Sequence, residues 1–167
     1  MIFRFTQKLS KKLKINPQPE CEYGVSPMEE WYGHLFTANR LQYILFTNAY
    51  SLYSVIFPGK GIITMRNFMD ICFSVLDEEL KDIGSGKIME EYITPNTTII
   101  DICKTNNRSI LGSMNDMINM SKYIFSLENS TLKEVMGLLN KTPFSYLKYK
   151  NPRAKLEEYI SSREISR

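Results

Sequence analysis

Histidine and cysteine, which build many catalytic and metal sites, are scarce in this sequence. Of 167 residues, one is histidine and three are cysteine. Cys21, Cys72 and Cys103 are widely spaced and form no Cys-x-x-Cys pair, which argues against a disulfide framework and against structural zinc. No glycine-rich phosphate loop and no nucleophile beside a base is recognisable. We therefore expect no metal and no cofactor, and the sequence favours a non-catalytic protein over an enzyme.

Long hydrophobic runs are also missing. No apolar run approaches the roughly 20 residues that cross a bilayer. Residues 1–8 turn basic and polar too early for a secretory signal. The sequence therefore predicts a cytoplasmic protein with no membrane partner.

The composition is that of a globular chain, with 43% hydrophobic and 23% charged residues. A mass of 19.5 kDa is enough for one good core and too little for two ordinary ones. We therefore expect residues 1–167 to form a single domain.

Positive charge is concentrated at the two ends of the chain. Residues 1–14 contain five bases and no acid, and residues 141–167 contain seven bases and three acids. If the ends meet in space, they form a basic face that could bind nucleic acid; if they do not, they are solvated surface segments. The segment 144–153 also interleaves aromatic and basic side chains, which suits single-stranded nucleic acid but equally suits the edge of a core.

The hydrophobic periodicity predicts an α+β fold. Short polar breaks between three β-rich runs favour an antiparallel meander. The third run has an alternative, because Asn48 could cap a helix over 50–56. We expect a mainly antiparallel sheet of four to six strands packed against several helices. The strands are predicted at 2–6, 30–37, 41–47, 51–57 and 97–104, the last in a central position, and helices are predicted at 64–83, 110–125, 131–140 and 151–162.

The most polar stretch lies between the last predicted strand and the following helix. A helix that starts at Ser109 would turn its free N–H groups toward this loop and favour an anion there. Arg108 could hold a phosphate or carboxylate through its guanidinium fork, with Lys104 as a point charge. The predicted ligand-binding residues are Lys104, Thr105, Asn106, Asn107, Arg108 and Ser109. In the competing interpretation the same residues make only a demanding turn and a helix cap.

Asn48 joins this set because of a short internal similarity. Residues 47–52 and 105–110 share the pattern Thr-Asn-x-x-Ser followed by an apolar residue. If both loops left the same edge of the sheet, Asn48 and Asn106 would offer convergent amides. Three matched positions are also compatible with coincidence.

Two classes of function follow. The favoured one is a binding or regulatory module that engages a protein partner or an anionic, phosphate-bearing ligand through the 105–109 loop. The alternative is a small phosphodiesterase or nuclease that uses Arg108 and His34, which requires both side chains to reach one phosphodiester.

Three segments carry a resemblance to a known family. They are Leu45-Phe46-Thr47-Asn48, the stretch KTNNRS-x-LGSMND at 104–116, and LNKTP at 139–143, with the Trp31-Tyr32 pair. Together they resemble an uncharacterised bacterial family of unknown function with a similar length and an equally basic first strand. The resemblance implies a bacterial or phage-related cytoplasmic protein and brings no known activity, substrate or cofactor.

Overall fold

The computed structural model describes residues 1–21, 26–127 and 130–164, which form a five-stranded mixed sheet with helices on both faces. The predicted α+β class and the number of strands are confirmed. The strands are β1 (Ile2–Phe5), β2 (Glu30–Ala38), β3 (Leu41–Asn48), β4 (Ser54–Pro58) and β5 (Asp101–Lys104). The helices are α1 (Gln7–Leu13), α2 (Met65–Asp82), α3 (Arg108–Ser126), α4 (Leu132–Lys141) and α5 (Pro152–Glu164).

The strands lie in the order β4-β3-β2-β1-β5. The antiparallel meander β2-β3-β4 has the longer pairings and agrees with the prediction. In contrast, β1 runs parallel to both of its neighbours, β2 and β5. A parallel pair needs a crossover connection, and α1 lies in the connection between β1 and β2. As a result, β1 and β5 end at the same edge of the sheet.

The predicted strand 97–104 was wrong in its length and its position. The strand is only Asp101–Lys104, because Thr94–Thr98 forms a 3-10 turn, and β5 lies at the edge of the sheet. The expectation that this strand is mostly covered is also wrong, because two of its four residues, Asp101 and Lys104, are exposed. Its outer edge is nevertheless paired with the chain at Gln18. Gln18 donates its N–H to the Ile102 carbonyl and accepts from the Lys104 N–H, each at 2.9 Å. Beside this contact the structure pairs Cys21 with Cys103 as a disulfide, so the inference against disulfides from the cysteine spacing was wrong for this pair.

Side-chain alternation along the strands divides the core into two layers. One face carries the aromatic residues Phe3, Trp31 and Phe46. Phe3 and Phe46 pack against Phe68 of α2, and Trp31 stacks on Phe46. The opposite face carries more polar side chains, including Thr47 and Ser54, and is covered by α3 and α4. None of the helices in the described ranges combines the length and the apolar character that crossing a membrane requires.

Three of the predicted helices start where expected, each with a capping side chain. The Thr64 side chain caps α2, Thr131 forms a capping box at α4, and Asn151 accepts from the Ala154 N–H at 2.7 Å before α5. The helical alternative for 50–56 is wrong, because the chain turns at Asn48 and continues as β4. These caps depend on side chains within a few residues of the helix start, so the local sequence suffices to find them.

The two basic ends of the chain pack at different places. α1 follows the end of β1, and Thr6 at its start donates its N–H to the Gly33 carbonyl. In contrast, Tyr159 of α5 contacts Tyr50, in the turn after β3 and beside the start of β2. In the described residues, the N-terminal and C-terminal basic segments therefore pack at opposite ends of the strands. They do not join into the single basic face that was considered from the sequence. Residues 165–167 lie outside the described ranges.

Candidate anion-binding cavities

The loop between β5 and α3 is built around the Asn107 side chain. Its Oδ1 accepts from the N–H groups of Ser109 and Ile110 at 3.0 and 3.2 Å. Asn107 is thus the N-cap, and the expectation that Ser109 caps α3 was wrong. Because the cap already satisfies two first-turn donors, an anion could use them only by displacing the Asn107 amide.

Asn106 is held from the neighbouring part of the sheet. The Tyr32 hydroxyl of β2 donates to Asn106 Oδ1 at 2.6 Å. Tyr32 is buried, and burial together with the nearby Glu30 carboxylate raises the pKa of its phenol to about 12. The phenol therefore stays protonated near neutral pH and keeps this hydrogen bond.

A buried arginine anchors the start of the loop. Arg4 is 3% exposed; its Nε contacts Glu30 Oε1, and its Nη1 donates to the Lys104 carbonyl at 3.1 Å. We call Arg4, Glu30, Tyr32 and Asn106 the Arg4 cluster. Sequence reasoning missed it, although an arginine between two phenylalanines in a short apolar strand is a signal for a buried, paired charge.

Asn48 lies away from this loop and has a role in its own turn. Its Oδ1 accepts from the Ser51 N–H at 2.9 Å and from the Ser51 hydroxyl at 3.0 Å, and the residue is fully buried. Asn48 pairs with Trp31 near the start of β2, whereas Lys104 pairs with Phe5 at the end of β1. The loops after β3 and β5 therefore leave opposite edges of the sheet, so the structure does not bring Asn48 and Asn106 together as convergent amides.

A cavity of about 540 Å³, the loop crevice, opens where β1 and β5 end. Lys104 and Thr105 line it from the loop, and Lys11 lines it from α1. The described lining holds no carboxylate, and Arg108 is exposed outside it. The remaining lining residues are Phe5, Gln7, Ser10, Ile15, Asn16 and Pro17. Because a parallel-strand end often holds ligands in α/β proteins, this is the best-placed cavity for the predicted anion.

A second cavity of about 880 Å³, the basic groove, lies between α1 and α3. Its floor is the part of β2 that extends beyond the end of β1, including His34. Its described lining also holds no carboxylate. The charged lining residues are Lys8, Lys11 and Lys122, and the others are Leu35, Phe36, Thr37, Gln42, Asn115, Ile118 and Asn119. Lys11 lines both cavities.

Sequence reasoning did not find this groove. Asn115, Asn119 and Lys122 are spaced by four and three residues, so they share one face of α3. That polar face was a detectable signal, but nothing local indicated that α1 would supply the opposite wall.

His34 does not share either cavity with Arg108, the residue proposed to act with it in catalysis. It lines the basic groove, and Arg108 lines neither cavity. Burial lowers the pKa of the imidazole, and the positive charges of Lys8 and Lys122 lower it further, against a raising contact from the Leu35 carbonyl. Within the described residues, no group of three or more His, Cys, Asp or Glu side chains is arranged to hold a metal ion.

Acidification is expected to reveal the environment of His34. An unfolded histidine has a pKa of about 6.5, and the folded-state pKa is lower. The unfolded chain therefore binds the proton first, so the His34 contribution lowers stability as pH falls through that value. When the pH is lowered from about 7.5 to about 5.5, the urea midpoint of unfolding should decrease less in His34→Gln than in the wild type. Equal losses in the two proteins would contradict the prediction.

The fold and its cavities define a small α+β domain with a basic end where β1 and β5 terminate. The chain belongs to a family described as a domain of unknown function, DUF6933, whose model matches residues 2–155. The resemblance to an uncharacterised family is thereby confirmed. Searches of the curated proteins and of the solved structures each found no match.

Proposed function

We propose that this chain is a non-catalytic binding module that holds a phosphate-bearing anion in the loop crevice. The observation that carries the proposal is the lining itself, which combines Lys104, Lys11 and the Thr105 hydroxyl without an opposing carboxylate. Lysine ammonium groups bind phosphate as point charges, and a hydroxyl adds a hydrogen bond. The crevice has the volume of an ordinary small-ligand site.

The Arg4 cluster supports this assignment because it holds the loop in place. Arg4 holds the Lys104 carbonyl and Tyr32 holds the Asn106 side chain, so the loop has a contact with the sheet on both sides of Thr105. A binding site whose supporting hydrogen bonds are already formed loses less entropy when the ligand arrives. The anion would therefore lie in the crevice and not at the start of α3, where the Asn107 cap already uses the free N–H groups.

The second candidate for the ligand of this loop is a protein partner, which could contact the exposed side chains of Lys104, Asn106 and Arg108. We favour the anion because the crevice is concave and the loop alone is not. No observation favours the nuclease, whose two residues do not share a cavity. A regulatory role in the cytoplasm is likewise a proposal. The pairing of Cys21 with Cys103 bears on the compartment, because disulfides are typical of oxidising surroundings and rare in the cytoplasm.

Charge reversal at Lys104 tests the proposal. Calorimetric titration with pyrophosphate should show binding to the wild type, and Lys104→Glu should weaken it by roughly tenfold or more, which is about 1.4 kcal/mol. Lys60→Glu is the matched control, because Lys60 is exposed in the turn after β4 and lines neither cavity. It should leave the affinity within about twofold, since separated surface charges are screened by salt.

Arg108→Ala distinguishes the crevice from the helix terminus. Because Asn107 occupies the first-turn donors, this variant should bind pyrophosphate nearly as well as the wild type. A larger loss in Arg108→Ala than in Lys104→Glu would move the site back to the start of α3. If neither the wild type nor any variant binds pyrophosphate, the anion site is ruled out and a protein partner remains. If pyrophosphate is hydrolysed to orthophosphate, the module is not non-catalytic.

A further inference from the structure

The two basic cavities share a wall. Lys11 lines both the loop crevice and the basic groove, so the two spaces adjoin at α1. Lys8 is three residues before Lys11, which places both ammonium groups on one face of the helix. From Lys104 at one end to Lys122 at the other, the described lining contains four lysines and no carboxylate.

We propose that these cavities form one track for the phosphodiester backbone of a single-stranded nucleic acid. The inference rests on the proposed phosphate site in the loop crevice and extends it through the basic groove. Evenly distributed lysines that follow a concave path are the usual means of holding such a backbone without reading its sequence.

The positive charge of the track suits a backbone that is held without sequence readout. Every charged residue in the track is a lysine. A lysine ammonium is a point charge that tolerates many phosphate orientations, so successive phosphates of a flexible chain can each find a partner.

The shape of the groove favours one strand over a duplex. Its floor is the stretch of β2 that extends past β1, and its walls are helices α1 and α3 of the same domain. A flexible single strand can follow such a groove between its walls, whereas a duplex is stiff over this length. Polar side chains in the walls can hydrogen-bond sugars and bases; they are Thr37, Gln42, Asn115 and Asn119.

The rest of the surface contributes to the field. The long helix α2 carries exposed or partly exposed acids such as Glu78 and Asp82, and it packs on the aromatic face against Phe3 and Phe46. A chain of low net charge, +3, thus has a strongly basic end. Such an asymmetry steers a polyanion toward the track.

Fluorescence anisotropy with labelled oligothymidylates that lack terminal phosphates tests the inference. The long oligomer should have twelve nucleotides and the short one three. We expect the long one to bind at least roughly tenfold more tightly, because only it reaches from the crevice into the groove. With four lysines engaged, log affinity should fall with log salt at a slope of about −3, from about 0.7 per phosphate contact on single strands.

Lys122→Glu separates this inference from the proposed function, because Lys122 lines only the groove. It should weaken the long oligomer by roughly tenfold and flatten its salt slope by about 0.7 or more, while pyrophosphate affinity stays within about twofold. Lys104→Glu should weaken both ligands, and Lys60→Glu neither.

Five results would overturn the proposal of a single-strand track. Pyrophosphate binding with no dependence of affinity on oligomer length, or with no effect of Lys122→Glu on the long oligomer, would overturn it and leave the crevice site standing. Tighter binding of a duplex or of oligoglutamate than of the single strand would overturn the assignment to a single-stranded phosphodiester. Failure to bind either pyrophosphate or oligomer would overturn both proposals.

Discussion

Arg4→Ala is expected to lower the free energy of unfolding by about 3 kcal/mol, the lower end of the range for breaking a buried ion pair. Arg4 is almost fully buried, whereas the Glu30 side chain retains 28% of its exposure, so solvent screens part of the uncompensated carboxylate. The Lys104 carbonyl also loses its donor. The measurement is urea denaturation followed by the fluorescence of Trp31, the single tryptophan, which is buried against Phe46.

Arg66→Ala is the matched control, because Arg66 is exposed on α2. It should change stability by no more than about 0.5 kcal/mol. Arg4→Lys should fall between the wild type and Arg4→Ala, because it keeps the charge but cannot reach Glu30 and Lys104 with separate nitrogens. If Arg4→Ala were as stable as Arg66→Ala, the contacts of the Arg4 cluster would contribute nothing measurable to stability. The loop after β5 would then not be anchored by them.

Asn140→Ala is expected to cost about 3 kcal/mol, because it leaves two buried backbone groups of one residue without partners. Asn140 Oδ1 accepts from the Ser54 N–H at 2.9 Å, and its Nδ2 donates to the Ser54 carbonyl at 2.8 Å. Since β4 is an edge strand, this amide acts as the missing neighbouring strand and attaches α4 to the sheet.

The adjacent exposed residue provides a control for Asn140. Lys141→Ala should change the urea midpoint little. Asn140→Asp should also be destabilising at neutral pH, because the carboxylate accepts from the Ser54 N–H but repels the Ser54 carbonyl. A midpoint for Asn140→Asp equal to that of the wild type would show that the donor half of the amide contributes nothing.

The pairing of Asn140 with Ser54 could not be predicted from the residues around it. It lies in the LNKTP segment that contributes to the family resemblance, and its sequence neighbourhood indicates only the end of a helix. Its bonds to Ser54 span 86 residues. A pairing at that separation leaves no periodicity in the sequence, so its identity depends on how α4 docks on β4.

The loop at 104–109 was located correctly, but the roles within it were not. A cluster of amides between a strand and a helix is a local signal, and the structure does put a strand end, a cap and a helix start there. Asn107 rather than Ser109 is the cap, and Asn106 accepts from Tyr32 because β5 lies in the same sheet as β2. The pairing order of the strands, which is non-local, decides those roles.

Local sequence patterns were sufficient to predict the α+β class, the meander β2-β3-β4, the helix starts near Thr64, Thr131 and Asn151, and a polar loop after the last strand. These features arise from contacts between residues close along the chain. Other features became visible only in the folded chain: β1 lies parallel between β2 and β5, Arg4 pairs with Glu30, and α1 and α3 line a basic groove. Each of these joins distant residues, and such contacts depend on how whole elements bury their apolar faces against one another.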